Sequence, residues 1–156
     1  MNILFFLTPK SEVAFIFNDY TIDKALQVFQ TYRYSAIPMI DRDGKYLGTV
    51  TEGDFLWGMV ENNEITMDNL HTKKVGELPL RVQHKAVSST ARMEDMMAIA
   101  KDQNFVPVVD DNDVFIGIVT RKEILKYCYT EMEKGCLLQQ RLSPNGTEHF
   151  QDCNIA

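Results

Sequence analysis

The chain lacks an excess of positive charge: 16 Lys and Arg stand against 22 Asp and Glu in 156 residues, a formal net charge of −6. A face that holds a nucleic-acid backbone needs clustered cations, so nucleic acid is not an expected partner. Cysteine is scarce. Cys128, Cys136 and Cys153 are odd in number and scattered, which makes no disulfide framework and suggests a reducing cytoplasm. His71, His84 and His149 share no metal-ligand spacing with one another or with the cysteines, so no metal is expected. Long apolar runs are missing too. The stretch NILFFL at residues 2–7 is far too short to span a bilayer and lacks the basic flank and cleavage site of an export signal. A soluble cytoplasmic protein with no membrane partner is the expectation. No Walker loop or Gly-rich dinucleotide fingerprint is present. Asp54 and Glu123 would supply paired carboxylates, but nothing beside them reads as a nucleophile or electrophile, so the chain is not expected to be an enzyme.

What is present is ordinary for a globular fold, with 45% hydrophobic and 24% charged residues. Residues 1–10 read as a buried arm and Val13–Phe17 as a short buried strand. Thr21 is placed to cap a helix carrying Ile22, Ala25, Leu26, Val28, Phe29 and Tyr32 at helical spacing. Strands at Ala36–Ile40 and Tyr46–Val50 flank a polar turn and lead into a helix from Glu52 to Val60. Pro38 inside the first of them argues for an edge or a bulge. Residues 62–79 read as a polar linker. Beyond it, Leu80–Val87 alternates like a half-buried strand, and Ser89 or Thr90 is placed to cap a helix with Met93, Met96, Met97 and Ala100. A methionine stripe of this spacing reads as adaptable core filling. Strands at Phe105–Val109 and Phe115–Val119 precede a helix from Arg121 to about Glu133. Residues 135–156 read as a loose tail, in which Asn145-Gly146-Thr147 matches a glycosylation acceptor only by letter.

The chain repeats itself. An offset of 69 residues lays Ser35–Leu56 on Asn104–Leu125 without a gap, and Pro38, Asp41, Gly48, Val50, Thr51 and Leu56 meet identical residues. Each half reads strand, helix, strand, strand, helix. A unit of roughly 60 residues struggles to bury its own core, so the two copies are expected to pack together. The expected division is 1–61 for the arm and first repeat, 62–79 for the linker, 80–134 for the second repeat and 135–156 for the tail. At the end of each hairpin a Thr lies three residues before an acid, Thr51 with Asp54 and Thr120 with Glu123. Such a pair can converge on a small polar ligand at a helix N-terminus, or it can simply cap the helix and complement its dipole.

The signatures AIPMIDRDGKYLGTVTEGDFL and FVPVVDDNDVFIGIVTRKEIL, in tandem, resemble those of a CBS-domain pair, or Bateman module, of the stand-alone bacterial kind. The resemblance covers about residues 8–130. It implies a mixed α/β (α+β) fold of tandem βαββα units about a pseudo-twofold axis, a flat homodimer, and clefts that bind adenosine compounds. It further implies a base resting on the backbone at Val13–Ala14 and at Ser35, Ala36 and Ile37. In this picture Asp54 accepts from both ribose hydroxyls and Thr51 donates to a phosphate. Glu123 is one methylene longer, which sets the second site apart. Arg121 and Lys122 oppose the dipole at their helix start unless an anion lies between them, and they are placed to serve a ligand seated on the first copy. The expected function is therefore a non-catalytic sensor that binds AMP, ADP or ATP and signals occupancy to an unidentified effector protein. Cyclic di-AMP is the alternative ligand, suggested by the YSAIP strand and the basic pair after Thr120. A ligand-free dimerisation scaffold is the alternative of another class.

Overall fold

The computed structural model describes residues 1–62 and 64–142, with side chains as far as Gly135. The element order is β1 (Thr8–Pro9), β2 (Ile16–Phe17), α1 (Ile22–Tyr32), β3 (Ala36–Ile40), β4 (Tyr46–Thr51), α2 (Glu52–Glu61), β5 (Val87–Ser88), α3 (Met93–Ala100), β6 (Phe105–Val109), β7 (Phe115–Thr120) and α4 (Arg121–Leu142). They form two sheets, one ordered β2-β3-β4 and the other β1-β7-β6-β5. In each, a parallel pair precedes an antiparallel hairpin.

The duplication is visible residue by residue. α1 buries Ile22, Ala25 and Phe29, and α3 buries Met93, Met96 and Ala100, the same three positions of an amphipathic face. The methionines are therefore core, as their spacing suggests, while Met97 faces out at 50% exposure. The hairpin turns contain Gly44 and Asp113, both in the left-handed region at φ 86° and 62°, which glycine and aspartate tolerate better than other residues. Those turns meet across the local twofold. Tyr46 N–H donates to Asp113 O (3.2 Å), Phe115 N–H donates to Gly44 O (2.9 Å), and the Tyr46 and Phe115 rings stack at 6.3 Å. Farther along, Asn104 Nδ2 donates to its own counterpart, Ser35 Oγ, at 3.4 Å.

Pro38 sits as its missing N–H requires. β2 pairs only with Met39 and Ile40, so Pro38 has a strand neighbour on the β4 side alone.

Several expectations need correction. The arm precedes the first repeat in sequence but packs on the second: β1 pairs with β7, and Ile3 is fully buried with Met93, Met96 and Val119. The linker is not a mere spacer, because Ile65, Leu70, Val75 and Leu78 belong to the first repeat's core. The predicted strand over Leu80–Val87 reduces to Val87–Ser88, the rest being irregular. Val13–Phe17 likewise reduces to Ile16–Phe17. Thr21 occupies the cap position of α1 without a side-chain cap bond. α3 is capped at Arg92, whose N–H donates to Asp95 Oδ2 at 3.1 Å, rather than at Ser89 or Thr90. α4 continues through Leu142, so the first part of the expected tail is helical. The motif Asn145-Gly146-Thr147 lies outside the described residues.

Candidate functional site

The strand ends deliver each Thr to a helix start by the same local device. Ser35 O accepts from Glu52 N–H (3.1 Å) and Asn104 O accepts from Arg121 N–H (2.9 Å), which ties each hairpin's first strand to the helix that follows. Beyond that point the two copies differ. In the first, Thr51 and Asp54 close a full capping box. Asp54 Oδ2 accepts from Thr51 N–H (2.8 Å) and from Thr51 Oγ1 (2.8 Å), and Thr51 Oγ1 accepts from Asp54 N–H (3.2 Å). Asp54 Oδ1 accepts from the Arg81 N–H at 3.0 Å, and the residue is only 3% exposed. In the second copy only the Thr120 Oγ1 to Glu123 N–H bond forms, at 3.3 Å, and Glu123 is half-buried.

A cavity of about 200 Å³ opens between the two sheets. Thr8 and Glu12 of the arm border it, Val13, Ala14, Tyr34, Ala36 and Pro38 line it from the first repeat, and Phe105, Ile118 and Thr120 from the second. Strand alternation explains part of the set: Ala36 and Pro38 share one face of β3, while Ile37 and Met39 point into the core. The structure thus brings together four of the residues singled out from sequence, Val13, Ala14, Ala36 and Thr120. Ser35 is exposed and Ile37 is fully buried in the core, which leaves them backbone roles. Thr51 and Asp54 are not among the residues lining this cavity. Of the basic pair, Arg121 Nε donates to Gln103 O at 2.9 Å, and Lys122 is exposed.

Tyr34, the first residue of the YSAIP stretch, was not named among the expected site residues. It is 50% exposed and stacked on Tyr32 with centroids 5.8 Å apart. The signal was its place two residues before Ala36, in the segment that leads into β3.

A larger cleft of about 590 Å³ lies at the turn ends, bordered by Lys45, Ser88, Asp110, Asp111 and Asp113. Its acidic rim disfavours a phosphate, and Asp110 Oδ1 is already used by the Asn112 and Val114 N–H groups. Among the described residues no cluster of three or more His, Cys, Asp or Glu side chains could hold a metal ion, and no helix is long and apolar enough to cross a membrane.

Asp54 acts structurally in this arrangement. Replacing it with Ala removes the Asp54 half of the capping box and the acceptor of the part-buried Arg81 N–H, which should lower the unfolding free energy by about 1–2 kcal/mol in urea titrations. Measuring nucleotide affinity on the same variant separates the two roles drawn from the sequence, since an unchanged affinity denies Asp54 a ribose.

A family model described as the CBS domain matches residues 7–61 and again residues 75–130. An inosine-5'-monophosphate dehydrogenase of Methanocaldococcus jannaschii is 30% identical over 108 residues, 69% of this chain, but the chain spans only 20% of that protein's length. Among solved structures, CbpB in complex with c-di-AMP superposes with a TM-score of 0.75 at 23% identity, covering 87% of this chain and 89% of that one. CBSX2 in complex with AMP superposes with a TM-score of 0.66 at 22% identity, covering 84% and 98%.

Proposed function

The chain belongs to the CBS-domain family, and from that premise we propose that it is a non-catalytic sensor whose inter-sheet cavity takes an adenine nucleotide and whose occupancy is read by a partner protein. The observation that carries this reading is the joining of Val13, Ala14 and Ala36 with Thr120 around one cavity. Small residues on the first repeat leave a largely apolar slot, and the second repeat's helix start supplies the Thr120 hydroxyl beside it. At about 200 Å³ the slot suits a base, with sugar and phosphates extending past Thr120 toward Arg121 and Lys122. Tyr34 adds an aromatic face at the same slot. Glu12 is the carboxylate lining this cavity, and Glu123 follows Thr120 by three residues at the same helix start. Occupancy would favour one relative packing of the repeats, by no more than the ligand's differential affinity for the two packings.

Cyclic di-AMP is the second reading, since CbpB was crystallised with it. A homodimer is the proposed assembly. Leu56 and Val60 on α2, and Leu125, Tyr129 and Met132 on α4, form exposed apolar stripes at helical spacing that a second copy would cover.

A thermal-shift panel with AMP, ADP, ATP and cyclic di-AMP tests the reading. A true ligand at a hundred times its dissociation constant adds about 2.7 kcal/mol of stability, which for a chain of this size raises the melting temperature by roughly 5–10 °C. Melting that ignores all four would favour a ligand-free scaffold.

A further inference from the structure

We propose that the cleft at the turn ends is a docking groove for an extended segment of a partner protein in which aromatic side chains alternate with arginine or lysine. The first repeat shows what the equivalent place holds when it is filled. Phe17 pairs with Ile40 as Ser88 pairs with Val109, so Phe15 and Phe17 correspond to Ala86 and Ser88. The bonds that follow agree: Asn18 N–H donates to Ile40 O and Tyr20 N–H to Phe17 O, as Ser89 N–H does to Val109 O and Ala91 N–H to Ser88 O. In the turns, the 69-residue offset sets Arg42 and Gly44 against Asp111 and Asp113.

In the first repeat the place is occupied by rings and cations. Phe15 and Phe17 meet edge to face at 5.6 Å, the Arg42 guanidinium lies 4.0 Å over the Phe17 ring, and Lys10 lies 5.1 Å over Phe15. Asp19 holds Arg42 there through Nε and Nη2, at 2.8 and 2.9 Å. The second repeat has Ala86 and Ser88 where those rings are and Asp111 where the guanidinium is, which leaves the cleft of about 590 Å³. Its wall includes Leu47, 45% exposed, together with Val87 and Val109. Three carboxylates, Asp110, Asp111 and Asp113, face one ammonium, Lys45, on its rim. An uncovered apolar wall takes aromatic side chains, and an acidic rim takes the cations beside them, as Asp19 takes Arg42. A segment carrying both would restore in trans the stack that the first repeat makes in cis. The groove lies apart from the inter-sheet cavity, and its assignment does not rest on nucleotide binding.

Amide NMR of the full chain, titrated with the peptide acetyl-Lys-Phe-Arg-Phe-Lys-amide, tests the groove. The Lys45, Leu47, Val87, Ser88 and Asp111 amides should shift saturably, those of Val13 and Ala36 should stay in place, and the Glu-Phe-Glu-Phe-Glu analogue should move none of them. Ser88→Phe with Asp111→Arg rebuilds the first repeat's filling and should weaken the peptide about tenfold or more. Asp111→Asn with Asp113→Asn keeps the groove open, suits the left-handed turn, and should weaken it about fivefold. If the first pair of substitutions fails to fold, the second decides. No saturable shift, shifts confined to other residues, an equal response to the acidic peptide, or undiminished affinity in the folded variants overturns the proposal. Movement of the same amides on concentrating the protein alone would give the groove to a second copy of the chain, and overturns it as well.

Discussion

Gly117→Ala should destabilise the fold by about 3 kcal/mol, against about 1 kcal/mol for Gly48→Ala at the matching position of the first repeat. A Cβ at Gly117 would lie 2.2 Å from Thr8 O and 3.1 Å from Pro9 Cα, both backbone atoms of β1. Strand β1 would have to leave β7, taking with it the arm that buries Ile3 in the second core. At Gly48 the new atom would meet only the tip of Leu80, Cδ1 at 2.7 Å, which can rotate away. Urea midpoints for the two variants, compared at a common slope, read the difference directly. Equal costs would mean that the arm is not packed against β7 in solution.

Filling the cavity is the second large effect. Ala36→Trp puts an indole into a space of about 200 Å³ bordered by Val13, Ala14, Tyr34 and Thr120. Ala36 lies at the partly exposed start of β3, where the strand has no β2 neighbour, so the substitution should change stability by less than about 1 kcal/mol. Nucleotide affinity should fall at least 100-fold, about 2.7 kcal/mol, because base and indole cannot share the slot. An unchanged affinity would move the ligand out of this cavity, with the larger cleft at the turn ends as the next place to look.

The sequence carried most of the fold because its signals there are local. The 69-residue repeat, the Thr-capped helix starts and the Ile22–Ala25–Phe29 spacing each need only a short window to be seen. What it hid depends on contacts between distant residues. The capping box at Thr51 and Asp54 was foreseeable, but the third bond to Asp54 comes from Arg81, 27 residues away. Residues 80–87 alternate like a strand, yet their hydrogen bonds go to Asp54, Gln103 and Tyr46, so pattern and partner disagree. Ile65, Leu70, Val75 and Leu78 are too widely spaced among polar residues to show a period, and still they seal the first core. The candidate site suffered from the same blindness. Sequence order grouped Val13 and Ala14 with Thr51, whereas the fold sets them beside Thr120, and only the crossing of the two repeats could reveal that exchange.

Calorimetric titration of the protein with ATP, AMP and cyclic di-AMP, run beside Ala36→Trp, tests the nucleotide-sensor account most directly. The account predicts saturable heat with at least one of these ligands and its loss in the variant. No heat with any of them at millimolar concentration, or equal heat in both proteins, would contradict it.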